Sequence, residues 1–159
     1  MAAMRHMHEF GTTSEQLAEV AVAARAWAGL NAAATHREPL SVSDVLASPM
    51  ISDPLHLLDS CLVTDGGGAI VMTTAEHARA LGVQPIHVRG FGEAHTHWSI
   101  ANMPDLAWHT AAERSGRDAL RMAGVGLNAI DLVELYDSFT ITVLMTLEAL
   151  GFCGRGESG

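Results

Sequence analysis

Tyr136 is the only tyrosine among 159 residues. It stands in the run Glu134-Leu135-Tyr136-Asp137-Ser138-Phe139, where a strand pattern gives way to a helix pattern. In open α/β sheets, reactive groups gather outside the carboxyl ends of the strands. A phenol placed there can donate a hydrogen bond to a developing oxyanion, or move a proton as a general acid or base. The alternative is local: Asp137 or Ser138 caps the next helix and the tyrosine ring packs. Glu93, His95 and His97 alternate, so a continuous strand turns all three to one face. Imidazole and carboxylate at that spacing can bind zinc. No HExxH or comparable signature accompanies them, so histidines lining a polar loop are the simpler reading and no metal is expected. The same discount applies to His6 and His8 as metal ligands; His8-Glu9, next to Phe10-Gly11, either lines a pocket or is solvated. Cys61 and Cys153 carry no adjoining histidine to act as a base, and both read as small, partly buried thiols. Asp65-Gly66-Gly67-Gly68 lacks the spacing of a phosphate loop or a dinucleotide fingerprint.

The elements that must position these residues follow from capping and periodicity. Thr12 or Thr13, with Glu15 and Gln16 where a capping-box partner belongs, opens a helix over residues 12–30. Leu17, Val20, Ala21, Ala24, Trp27 and Ala28 give it helical spacing, and Gly29 fits its stop. Ser41 or Ser43 caps a short helix to Ala47, and residues 48–64 read as a long irregular segment. Ala69 to Met72 reads as a buried strand, Thr74 to Leu81 as a helix stopped by Gly82, and Ile86 to Glu93 as a strand. Residues 107–123 form an amphipathic helix ended by Gly124, Ile130 to Leu135 a strand, and Phe139 to Leu150 a helix ended by Gly151. Alternation of strand and helix from residue 86 onward predicts an α/β fold with a mostly parallel sheet. Three strands leave a large apolar face uncovered, which predicts an internal section of a longer chain.

Composition narrows the function classes. Hydrophobic residues make up 48%, enough for a core and too many for wholesale disorder. The formal charge is −9 and all nine cationic Lys/Arg positions are arginine, so no basic stripe exists and nucleic acid is not the expected partner. Two cysteines make no disulfide framework. Residues 1–10 do not read as a signal peptide, and no apolar run approaches a membrane span. The expectation is a soluble cytoplasmic protein with no membrane partner.

Several motifs in order carry a resemblance. Met7-His8-Glu9-Phe10-Gly11-Thr12-Thr13-Ser14-Glu15-Gln16-Leu17-Ala18 resembles the loop-domain segment of the thiolase superfamily, nearest to the sterol carrier protein thiolases and bacterial lipid-transfer-type thiolase-like proteins. Ser43-Asp44-Val45-Leu46, Asp53-Pro54-Leu55, Asp65-Gly66-Gly67-Gly68-Ala69-Ile70-Val71, Ala123-Gly124-Val125, Ile130-Asp131-Leu132-Val133-Glu134 and Gly151-Phe152-Cys153 continue it across essentially the whole chain. The resemblance implies a partial thiolase-like α/β fold. Residues 1–64 would be a loop-domain portion, 65–84 the end of the first α/β half and 85–159 the start of the second. The family's reactive cysteine lies upstream of such a segment and its later His and Cys motifs downstream, so neither Cys61 nor Cys153 takes those roles.

The resemblance implies lipid or steroid acyl-CoA thioesters as substrates, with coenzyme A entering as part of the substrate and no covalently bound cofactor. Phe10 and Cys61 match positions near the coenzyme A arm, the second usually Ser, and Phe139 matches a pocket-lining Phe. His95 and His97 are further pocket candidates. Tyr136 stands where the family carries an oxyanion-hole Asn or His, with Asp137 beside it. Tyrosine there resembles thiolase-like aldolases of steroid side-chain breakdown, which cleave a β-hydroxyacyl-CoA and pair with a small OB-fold partner. The implied activities are acyl transfer or thiolysis through an upstream Cys, or retro-aldol cleavage with Tyr136 as acid or base. The alternative is a non-catalytic acyl-CoA-binding or partner subunit. A homodimer is implied.

Overall fold

The computed structural model describes residues 1–159. Six α-helices carry the order of the chain: α1 Ala2–Phe10, α2 Ser14–Leu30, α3 Val42–Ala47, α4 Ala75–Ala80, α5 Thr110–Ala123 and α6 Thr140–Leu150. The caps foreseen from residue type are made. Thr13 Oγ1 accepts from the Gln16 N–H at 3.3 Å while the Gln16 side chain accepts from the Thr13 N–H at 2.8 Å. Ser41 and Asp44 close the same reciprocal box on α3. Gly124 and Gly151 end α5 and α6 in the left-handed region, at φ 68° and 89°, where a side chain is strained. Two details differ from expectation. α2 runs through Gly29 to Leu30, and residues 2–10 form a helix.

The core lies where α1, α2 and α6 meet. Ala3, Leu17, Ile141, Leu144 and Met145 form one buried cluster, with Met7, Val20, Leu55 and Met103 packed around it. α6 is apolar on nearly every side because it is also covered by α5, which crosses it at Gly116. A Cβ at Gly116 would drive into the Leu150 side chain. Burying these side chains is worth about 1.5–3 kcal/mol each relative to exposure, so this three-helix contact is the main source of order.

The three runs read as parallel strands do not form a sheet. Ala69–Met72, Ile86–Glu93 and Ile130–Leu135 make no ladder, and the only sheet is a small antiparallel pair, β1 Met50–Ser52 with β2 Leu55–His56, inside the segment expected to be irregular. Ile70, Val71 and Ile86 are 89%, 94% and 98% exposed, so the apolar run at 69–72 is not buried either. β-propensity requires a neighbour to donate to and accept from, and these runs find none among the 159 residues. The chain exposes 10893 Å², against about 7,600 Å² for a compact monomer of this mass. Part of the excess sits on these runs, where Ile70, Val71, Ile86, Val88, Phe91 and Leu132 are exposed. The 86–93 run is nevertheless placed: Gly90 and Gly92 lie so close to the α5 backbone at Ala119 and Ser115 that a Cβ at either could not fit.

Candidate functional site

The site is assembled by a strap between two segments far apart in sequence. Residues 57–59 form a single 3₁₀ turn after β2. Asp59, 3% exposed, accepts from the His56 N–H at 2.8 Å and from the Thr140 hydroxyl at 3.0 Å. Thr140 is the first residue of α6, so this buried carboxylate ties the 57–59 turn to that helix. Just beyond it the backbones of Ser60 and Phe139 pair antiparallel, and the Cys61 N–H donates to the Ser138 carbonyl at 3.2 Å. Cys61 and the 136–139 run are thereby brought side by side. The Cys61 Sγ lies 3.6 Å from the Tyr136 hydroxyl.

Neither Asp137 nor Ser138 caps α6. The cap position is Phe139, which offers no side-chain hydrogen bond, and the Ser138 hydroxyl turns instead to Thr142 at 3.0 Å. The local alternative for this run, a routine cap, is therefore not what these residues do. Asp137, Ser138, Phe139 and Cys61 line a groove of about 910 Å³ whose further wall is α2, through Ala21, Ala24, Arg25 and Ala28, and the connector at Thr35 and His36. That volume is in the range of small-molecule sites. Its lining is mainly apolar, with polar groups confined to a few places. Tyr136 stands beside it, 74% exposed and held through Cys61. The hydrogen bond and nearby charge of Cys61, then a slight burial and the Asp137 carboxylate, raise the phenol above its ordinary value of 10. At neutral pH it is a hydrogen-bond donor, not a phenolate.

The other predicted residues lie elsewhere. Phe10 is not on the groove. Its ring sits edge-on to His6 at 4.9 Å, against Gly156 and 5.4 Å beneath the Arg155 guanidinium. α1 directs it there, and residues 154–159 fold back over it. Glu93 and His95 meet but His97 does not join them, because the 86–97 backbone is unpaired and does not hold a flat alternation. The exposed His95 pairs with Glu93 at 2.8 Å, whereas His97 bonds Thr96 at 2.8 Å; neither lines the groove. No group of three or more His, Cys, Asp or Glu side chains gathers in metal-binding reach. Cys153 is held above its ordinary value by burial and by the carboxylates of Glu148 and Glu157, so its thiol is a poor nucleophile.

Two groupings went unforeseen. Arg25 and His36 line the groove, and Asp59 fastens it; the first was hidden because Arg25 sits in an otherwise alanine-rich helix face. The second grouping is a buried polar cluster. His6, 1% exposed, holds Thr12 Oγ1 at 2.7 Å through Nδ1 and both Glu148 oxygens at 3.2 Å through Nε2. Ser158 donates to the same carboxylate from both its hydroxyl and its N–H. Burial pushes the Glu148 carboxyl up, but bonds from Ser158, the Gly156 backbone and His6 outweigh it and hold the group below its ordinary value.

Comparison with known proteins follows this geometry. Residues 92–159 match the family described as thiolase C-terminal domain-like. Over its whole length the chain is 36% identical to an acetyl-CoA acetyltransferase of Methanothermobacter thermautotrophicus, covering 42% of that protein. It is also 36% identical, over 99% of its length, to the steroid side-chain-cleaving aldolase of Thermomonospora curvata, again covering 42% of the relative. Among solved structures, the Ltp2-ChsH2(DUF35) aldolase superposes on 99% of the chain with a TM-score of 0.92 and 36% identity, 43% of that chain being covered. The chain thus spans about two fifths of the length of the relatives it matches.

Proposed function

The chain belongs to the thiolase superfamily, and from that premise we propose that the protein carrying it acts on acyl-CoA thioesters, with the Tyr136 phenol as proton or hydrogen-bond donor in carbon–carbon bond cleavage. The observation that carries the reading is the pairing of Tyr136 with Cys61 beside a largely apolar groove, which keeps the phenol protonated. In a retro-aldol step, a base removes the β-hydroxyl proton and the β-carbon becomes a carbonyl. The Cα–Cβ bond breaks, and its electron pair enters the thioester as an enolate. The group needed at the enolate oxygen is a neutral donor held in place, which matches a phenol with a raised pKa. The same raised value argues against Tyr136 as the base. Asp137 is the partly exposed carboxylate lining that groove and takes the base role within this segment.

Acyl transfer through a cysteine outside these residues is the second reading. It is supported by 36% identity to the acetyl-CoA acetyltransferase, and Tyr136 would then serve a tetrahedral oxyanion. The two separate on substrate. The retro-aldol reading predicts that Tyr136→Phe in the full-length protein lowers kcat for cleavage of a β-hydroxyacyl-CoA about 10²- to 10³-fold. Unchanged cleavage overturns the assignment. Thiolysis of a 3-ketoacyl-CoA without aldol cleavage supports acyl transfer. Binding of acyl-CoA with neither activity leaves a binding subunit. We further propose a homodimer and a small OB-fold partner for the full-length protein. The likeness to an aldolase named for two components supports the partner, and co-purification with size measurement tests both.

A further inference from the structure

The wall of the groove at the start of α6 carries a second hydroxyl that the proposed chemistry does not use. Ser138 lines the groove beside Asp137, two residues on from Tyr136. A serine just ahead of a helix ordinarily turns its oxygen to the first free N–H groups. Ser138 does not: its Oγ lies 3.0 Å from Thr142 Oγ1, in the first turn of α6. The direction of that bond follows from what else each group can reach. A threonine inside a helix can donate to the carbonyl four residues back, as Thr146 does to Thr142 at 2.6 Å. For Thr142 that carbonyl belongs to Ser138, and it already accepts from the Cys61 N–H at 3.2 Å. Ser138 Oγ is the one side-chain partner of Thr142 Oγ1. Thr142 is half-buried, so its proton goes to that partner. Ser138 thus accepts from Thr142 and keeps its own O–H to give away.

The surroundings hold that O–H in place. Cys61 fixes the Ser138 carbonyl, Thr142 fixes its oxygen, and the buried Asp59–Thr140 bond fixes the start of the helix behind it. Tyr136, by contrast, is largely exposed and has one side-chain partner. Donors that stabilise an oxyanion work because they are aimed before the charge develops. Two residues of backbone span at most about 7 Å, so the phenol at 136 and the shorter hydroxyl at 138 can converge on one oxygen. We propose that Ser138 is a second catalytic donor, whose hydroxyl, aimed by Thr142, shares with Tyr136 the negative charge that forms on the thioester oxygen. This rests on the reading above that the site acts on acyl-CoA thioesters, and adds to it the group that completes the oxyanion site. In the retro-aldol step the proton stays on Ser138 throughout. No bond to Ser138 is made or broken; its hydrogen bond strengthens as the Cα–Cβ electron pair enters the thioester. Thr142 touches no substrate and is a positioning residue.

The test follows kcat and KM for cleavage of a β-hydroxyacyl-CoA by the full-length protein, with coenzyme A binding by calorimetry and the urea midpoint measured alongside. Ser138→Ala is expected to lower kcat about 10²-fold, with KM, coenzyme A affinity and midpoint little changed. Ser138→Thr, which keeps the hydroxyl, recovers most of the rate. Thr142→Val leaves Ser138 in place and removes only its aim; kcat falls about tenfold, and Thr142→Ser restores it. In the Ser138→Ala background Thr142→Val lowers kcat no further, because its effect passes through Ser138. Unchanged kcat in Ser138→Ala overturns the proposal, while the reading at Tyr136 stands if Tyr136→Phe still loses activity. A fall in kcat that tracks a fall in midpoint or in coenzyme A affinity, or that a folded Ser138→Thr fails to recover, also overturns it, since Ser138 then only builds the wall. If the unaltered protein cleaves no β-hydroxyacyl-CoA, the same variants are read on thiolysis of a 3-ketoacyl-CoA, with the same expectation. Activity on neither substrate sinks the thioester reading, and Ser138 falls with it.

Discussion

At the His6–Glu148 cluster two ionisable side chains are almost wholly buried, and every polar atom has a partner. At the groove, by contrast, the Tyr136 phenol is 74% exposed and has one side-chain partner. Both sites join residues far apart in the chain, so connectivity does not explain the difference. Burial does. A buried charge is tolerated only when fully answered, so the His6 cluster is committed to holding α1, α6 and residues 154–159 together. The groove leaves the proposed donor, Tyr136, exposed and delegates order to the backbone strap and to Asp59 beneath it. On the proposed assignment order and chemistry fall to different residues, and stability and activity should separate when each is changed.

The largest effect is expected at Glu148. Glu148→Ala strands His6 and Ser158 and should cost about 3–5 kcal/mol of unfolding free energy, read from the urea midpoint of the full-length protein. Tyr136→Phe should leave that midpoint within about 0.5 kcal/mol while reducing kcat as described above. A Glu148→Ala protein as stable as the parent would erase the distinction drawn here. Acid reads the same contrast. Because the folded state holds the Glu148 carboxyl below its ordinary value of 4.5, its contribution is present above that pH and is lost as the pH falls toward the lowered value. Release of residues 154–159, followed by hydrogen exchange at Gly156 and Ser158, should therefore begin below about pH 4.5. A glutamine at 148 should remove that pH dependence.

Asp59 bridges the two behaviours, being buried like Glu148 but placed under the groove. Asp59→Ala leaves the Thr140 hydroxyl and the His56 N–H unanswered and should cost about 1–3 kcal/mol. It should also lower kcat with KM little changed, and Asp59→Asn, whose oxygen still accepts from the His56 N–H while its amide nitrogen donates to the Thr140 hydroxyl, should restore most of it. Equal loss in the asparagine variant would mean that the charge, and not the strap, is what matters. The smallest effect is at Cys61. Its hydrogen bond is the leading cause of the raised Tyr136 value, so Cys61→Ala should bring the phenol back toward 10. The difference in phenolate absorbance between Cys61→Ala and Cys61→Ala/Tyr136→Phe measures this. Activity that needs the protonated phenol should then fail at lower pH in Cys61→Ala than in the parent.

Residues within one helical turn of each other spoke plainly in the sequence. Thr13 with Gln16, Ser41 with Asp44, and the glycines at 124 and 151 interact over three or four positions, and each did what its type and spacing predict. The ordered motifs that led to the thiolase superfamily are legible for the same reason, since they are short runs of fixed residues. The apolar runs at 69–72, 86–93 and 130–135 are a different matter: residue type records a capacity to pair, but a ladder also needs a partner strand. Nor did spacing reveal that His97 parts from the Glu93–His95 pair, because their common face assumed a flat strand.

The sequence by itself determined five of the six helices, the glycine ends of α5 and α6, the acidic character and the resemblance to the family. Only the tertiary structure decided which side chains work together. Cys61 meets Tyr136 across 75 positions, Thr140 meets Asp59 across 81, and His6 meets Glu148 across 142. Contacts at such separation depend on how α1, α2 and α6 close on their shared core, a cooperative outcome of packing and burial that no local pattern of residues encodes.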